Sequence, residues 1–127
     1  MRFARIVFLV AGIYGLIVLV PQFFLEGKIG ADTPPPITHA EYFYGFICVA
    51  VAWQVLFLVL SRDPVRYRPM MIPAMLEKIG FPIAVAILYL QNRLSPTIFI
   101  PASLDLVLLV LFIAAYRKTA APDSSPS

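Results

Sequence analysis

Four apolar stretches, each bounded by polar, turn-forming residues, constrain this chain more than any other feature. They run over residues 4–24, 40–60, 70–90 and 97–116. A helix of about 20 residues, rising ~1.5 Å per residue, crosses a hydrocarbon core ~30 Å thick. Hydrophobic residues make up 61% of the chain, whereas soluble domains run at roughly 45–50%, so a soluble fold could not hide this much apolar surface. The predicted fold class is all-α: a polytopic membrane protein built as an antiparallel four-transmembrane-helix bundle. One domain covers residues 1–118, because no polar segment is long enough to fold by itself. The small, polar, proline-containing segment 119–127 is expected to be a disordered cytoplasmic tail.

The net charge of +3 is better explained by where the charges lie than by a nucleic-acid partner. Arg2 and Arg5 precede the first stretch, Arg62, Arg66 and Arg68 separate the second from the third, and Arg117 and Lys118 close the fourth. The opposite loops hold only Lys28 and Arg93. Basic residues favour the cytoplasmic side, so both termini are expected there, with the bilayer as the principal partner. An alternative takes the first stretch as a signal peptide, since Arg2 and Arg5 before an apolar run imitate one. The run from Ile6 to Val20 is long for that role, and no clean small-x-small cleavage site follows it.

The outer loop, residues 25–39, contains Gly27, Gly30 and the run Pro34, Pro35, Pro36, which favours an extended polyproline strap over a helix. Short links at 61–69 and 91–96 predict that stretches two and three, and three and four, are antiparallel neighbours. Tyr42, Phe43, Tyr44 and Phe46 gather at the outer end of the second stretch, as an interfacial aromatic belt or a ligand-stacking cluster. Gly12 and Gly15 in the first stretch, and Gly45, Cys48 and Ala52 in the second, form small-residue stripes suited to close helix approach.

The sharper signal is polar. Glu77, Lys78 and Asp105 lie within apolar stretches, where a charge costs at least about 2.5–3.5 kcal/mol on insertion scales. Gln54 falls at a similar depth, so stretches two, three and four are expected to present one intramembrane polar cluster. Glu77 shares a helical face with Pro73, Gly80 and Ala84, which predicts that this face points inward. Lys78 would either snorkel to the inner surface or pair with Asp105. Pro82 leaves the Lys78 carbonyl without its usual helical donor, a kink beside the two charges. A competing reading has these four residues satisfy one another and fix helix register without any ligand.

A second candidate lies at the outer mouth, where Glu26, Asp32, His39 and Glu41 would gather; they match no recognised metal spacing, and no metal is assigned. No cofactor is expected. A single histidine, His39, cannot supply a bis-histidine haem, and the one cysteine, Cys48, cannot form a redox pair or an intrachain disulfide. Phosphate-binding glycine loops, zinc motifs and a serine elbow are all missing from the sequence.

In size, in its four stretches and in the element Glu77, Lys78, Ile79, Gly80 opening an apolar run, the chain resembles the DoxX-like group of small bacterial membrane proteins. The likeness covers the layout of most of the chain but only a few residues by identity. It implies a multi-pass protein of the bacterial inner membrane, with an accessory role in a redox or stress-related complex. Three functions are consistent with these residues. The first is a non-catalytic accessory subunit that holds a lipid-like ligand or a membrane partner protein at the polar cluster. The second is a small proton-coupled transporter working as a homo-oligomer. The third is an acid–base enzyme of isomerase type using Glu77 and Asp105.

Overall fold

The computed structural model describes residues 2–32 and 36–120; they are helical, with no strand among them. Helix α1 spans Arg2–Leu19 and runs into a 3₁₀ turn at Val20–Phe24, a short helix α2 covers Glu26–Asp32, and α3 covers Ala40–Arg62. Helix α4, Met71–Leu90, and helix α5, Phe99–Lys118, each follow a 3₁₀ turn opened around a proline, at Arg68–Met70 and Pro96–Ile98. Proline suits such starts because the first N–H groups of a helix have no partner to lose.

Four helical segments, Arg2–Phe24, Ala40–Arg62, Arg68–Leu90 and Pro96–Lys118, are long and apolar enough to cross a membrane, each with 23 residues. At ~1.5 Å per residue each extends about 34 Å. Their outward faces remain apolar: Leu90 is 80% exposed, and Ile17 and Ile100 are both 67% exposed. In water such a surface would drive aggregation, whereas in lipid it costs nothing.

Adjacent helices run antiparallel, in the order α3, α1, α5, α4 around the bundle: α1 packs along α3, α4 along α5, and α1 also touches α5. Helices α3 and α4 do not pack as a pair, contrary to the expectation drawn from their short link. Two features account for this. Gly12 and Gly15 let α1 approach α3 so closely that a side chain at either position would run into Leu58 or the Gln54 amide. Between α3 and α4, in contrast, stand Trp53, Gln54, Glu77 and Phe81, which line a shared cavity. The second predicted stripe does not make a helix contact. Gly45, Cys48 and Ala52 are exposed, and α3 instead turns Ile47, Ala50, Gln54 and Phe57 inward.

The core lies at the end where both described termini meet. Phe8, Phe57 and Phe112, from α1, α3 and α5, are fully buried. Phe8 stacks on Phe112 at 4.4 Å between centroids, and Phe57 meets Phe112 edge-on at 5.1 Å, offset and T-shaped geometries that the ring quadrupole favours. Met71 and Ala74 of α4 close the same cluster. Arg68 ties the link to α5 by donating from Nε to the Tyr116 carbonyl (2.9 Å) while its guanidinium lies 3.6 Å from the Tyr116 ring centre. That carbonyl belongs to the last turn of α5 and has no helical donor of its own. Thr119, expected to open a disordered tail, is instead buried, its hydroxyl donating to the Ala115 carbonyl at 2.8 Å; residues 121–127 of that tail lie outside the described residues.

At the other end a small second cluster joins only α1 and α3, through Leu19, Ile47 and Ala50, with Phe23, Phe43 and Tyr44 packed on it. The outer loop is not wholly extended as predicted. Residues Glu26–Asp32 are helical, with Glu26 in the first turn and a 2.8 Å Lys28–Asp32 pair one turn apart, both favourable to a short helix. Gly30 lets this helix sit against Pro36, whose Cα would lie 3.1 Å from a Cβ there. Pro34 and Pro35 of the expected strap lie outside the described residues. Helix α4 ends where Asn92 takes a left-handed φ of 58°, with Arg93 donating to the Leu88 carbonyl and Asn92 to that of Tyr89, the Schellman arrangement.

Candidate functional site

Packed at the basic end and parted at the other, the two helix pairs flank an open-sided cavity of about 580 Å³. Its walls are α1 and the 3₁₀ turn after it from Ala11 to Gln22, α3 from Phe46 to Gln54, α4 from Glu77 to Phe81, and α5 with the 3₁₀ turn before it from Ile98 to Asp105. Chain direction in each helix places Ala11, Gln54, Lys78 and Asp105 at the floor, above the aromatic core, and Gln22, Phe46 and Ile98 toward the opposite end. The floor is near mid-span: Lys78 lies ten residues after Arg68 and twelve before Leu90 in its segment.

Lys78 is the centre of the floor. It is 5% exposed and occupies the inward face of α4 with Met71, Ala74, Pro82 and Val85. The predicted inward face of Glu77 with Pro73, Gly80 and Ala84 is therefore turned: Gly80 and Ala84 are exposed, and Glu77 sits at the edge of the packed face. The Lys78 ammonium lies 3.4 Å from Glu77 Oε2 and 3.6 Å from Asp105 Oδ1, and 5.3 Å above the Phe57 ring. Of the two predicted courses for Lys78, it pairs with Asp105 and does not snorkel. Pro82 is buried inside a helix that continues unbroken from Met71 to Leu90, and its missing N–H leaves the Lys78 carbonyl without a helical donor.

Gln54 lines the same cavity but forms no hydrogen bond with the charged trio, so the expected four-residue network does not form. Its Nε2 donates to the Ala50 carbonyl one turn back (2.9 Å), and its Oε1, against the Cα of Gly15, has no hydrogen-bond partner. Glu77 Oε2 is likewise buried without a hydrogen bond, since its contact with Lys78 meets the distance of an ion pair but not hydrogen-bond alignment. Unpaired acceptors of this kind are uncommon in packed interiors, where strain, a catalytic role or a bound water or ion accounts for them.

The outer-mouth residues divide into separate pairs. Tyr44 donates to Glu26 at 3.0 Å, Lys28 to Asp32 at 2.8 Å, and His39 Nδ1 lies 3.6 Å from Glu41 Oε1. The Asp32 hydrogen bond, aided by charge attraction, raises the Lys28 pKa above its ordinary value. Among the described residues no three acidic, histidine or cysteine side chains converge as a metal would require.

The aromatic residues of α3 part company. Phe43 and Tyr44 pack with Phe23, Tyr42 is 72% exposed, and Phe46 lines the cavity. The sequence reading missed Tyr14, Trp53 and Phe81 as cavity residues. Phe81 carried a legible signal, since it stands one turn beyond Glu77 on the same face; Tyr14 carried none. The chain matches no family model, and no curated protein or solved structure is significantly similar to it.

Proposed function

We propose that this chain is a multi-pass membrane protein that binds an amphipathic, lipid-like molecule between its two helix pairs, acting as a non-catalytic binding or accessory subunit. The observation that carries this reading is the cavity of about 580 Å³, with largely apolar walls and a polar floor near mid-span. Its volume is that of small-molecule sites, which typically combine apolar lining with a few placed polar groups. Seven basic residues at the core end support placing both termini in the cytoplasm. Placement in the bacterial inner membrane rests on the likeness to the DoxX-like group.

Native mass spectrometry of the chain, released gently from its own membrane, tests the reading. Val49 and Leu104 line the cavity and are 61% and 41% exposed, so a Val49→Trp/Leu104→Trp variant adds bulk to the walls without touching the core. A retained small molecule at one per chain, lost in the double variant, is the expected result. A chain without any adduct, or an adduct indifferent to the tryptophans, overturns the proposal. The floor favours one other reading, a proton-coupled transporter, because two carboxyl groups share a single ammonium within the spans. That reading requires substrate flux that stops in Asp105→Asn while the folded protein persists.

A further inference from the structure

The floor also gives the ligand a sign. Among the described residues that line the cavity the charged ones are Glu77, Lys78 and Asp105, two carboxyls against one ammonium. They are not equally available. The Lys78 side chain keeps 7% of its surface exposed, because its ammonium is held between both carboxyls and over the Phe57 ring. Glu77 and Asp105 keep 21% and 23%. Both acidic side chains line the cavity and keep more exposed surface than the ammonium-bearing one between them. Above the floor the walls present Tyr14, Phe46, Trp53 and Phe81, aromatic rings whose faces attract cations, the more so away from water.

We propose that the ligand of this cavity is a lipophilic cation: a positively charged head seated against Glu77 and Asp105, and an apolar body between the aromatic walls. The inference rests on the cavity being a ligand site, as proposed above, and adds the charge of what fills it. An anionic head would meet two carboxyls, or would have to displace Lys78 from both of its partners, and a neutral head would leave the second carboxylate without a compensating charge.

Tetraphenylphosphonium and tetraphenylborate provide the test, since they share shape and apolar surface and differ in the sign of their charge. Binding of each is measured by equilibrium dialysis to the purified full chain in lipid nanodiscs, with empty nanodiscs and the Val49→Trp/Leu104→Trp variant subtracted to isolate the cavity. The expected result is saturable phosphonium binding at least ~10-fold tighter than borate binding, falling toward the borate value in Asp105→Asn and in Glu77→Gln. Equal affinity for the two ions, or preference for borate, overturns the cationic assignment and leaves the cavity as a ligand site. No saturable, tryptophan-sensitive binding of either ion overturns the cationic assignment as well, and native mass spectrometry then decides whether the cavity takes any ligand. The comparison of the two ions on the unaltered chain requires no variant to fold.

Discussion

Gly15 and Lys78 each hold a position that other side chains cannot fill. At Gly15 an added methyl overlaps the Gln54 amide, which is wedged against α1 and bonded to Ala50. Gly15→Ala should therefore destabilise the protein by about 1–3 kcal/mol, the usual cost of overpacking. Gly45→Ala, where an added methyl meets nothing, should leave stability unchanged or slightly raised; reversible unfolding in mixed micelles compares the two. Removing Lys78 strands two carboxyls. Lys78→Met should cost about 3 kcal/mol, toward the low end for breaking a buried pair because both acids keep some exposure. Glu77→Gln should cost less, since Asp105 still holds the ammonium. Which residues carry charge inside the spans was legible in the sequence; which way they face was not. Lipid is as apolar as a leucine side chain, so the outward and inward faces of α4 read alike, and a stripe of small residues does not choose between them. Gly80 and Ala84 are small and face out, while Lys78 is long and faces in because Asp105 of α5 is there to receive it.

Elements were the most legible level, because a hydrophobic run long enough to span a bilayer has few alternatives. The four long helical segments begin and end within about two residues of the apolar stretches read from the sequence. Helix α2 was hidden by the glycine- and proline-rich composition of its loop; it is supported by contacts made after folding, the Tyr44–Glu26 hydrogen bond and the Gly30 contact with Pro36, together with the Lys28–Asp32 pair. Helix neighbours were hidden too, since a short link limits how far two helices part but not whether they touch. Arg68 shows how one link is secured at its far side. Its guanidinium both donates to the Tyr116 carbonyl and stacks on the Tyr116 ring, and a lysine cannot reproduce a planar stack with a directed N–H. Arg68→Lys should fray the end of α5, with faster amide exchange at residues 117–120 and a loss of about 1 kcal/mol. Unchanged exchange there would remove the capping role.

At the scale of the whole molecule, charge and cavity set two separate expectations. Orientation follows from the basic end: a phosphatase reporter active only outside the cytoplasm should stay inactive when fused after Lys118 and become active after Arg93, in the turn between α4 and α5. The second expectation asks whether the charged floor serves the fold or the ligand. Buried ion groups often add little net stability, and exchanging a complete set for neutral residues of similar volume is commonly neutral or stabilising by about 1–4 kcal/mol. The triple variant Glu77→Gln/Lys78→Met/Asp105→Asn removes the whole trio at once and strands no charge. If the trio is kept for binding, this variant should unfold no more readily than the parent, keep its helix content and lose the retained ligand. If the trio fixes how α4 meets α5, the variant should instead lose a single packed state, with broad unfolding and scattered cross-links between the two helices, whatever its ligand does. The structure favours the first result, because the aromatic core of Phe8, Phe57 and Phe112, the Arg68 clamp and the α1–α3 glycine contact hold the helices together without any of the three charged residues.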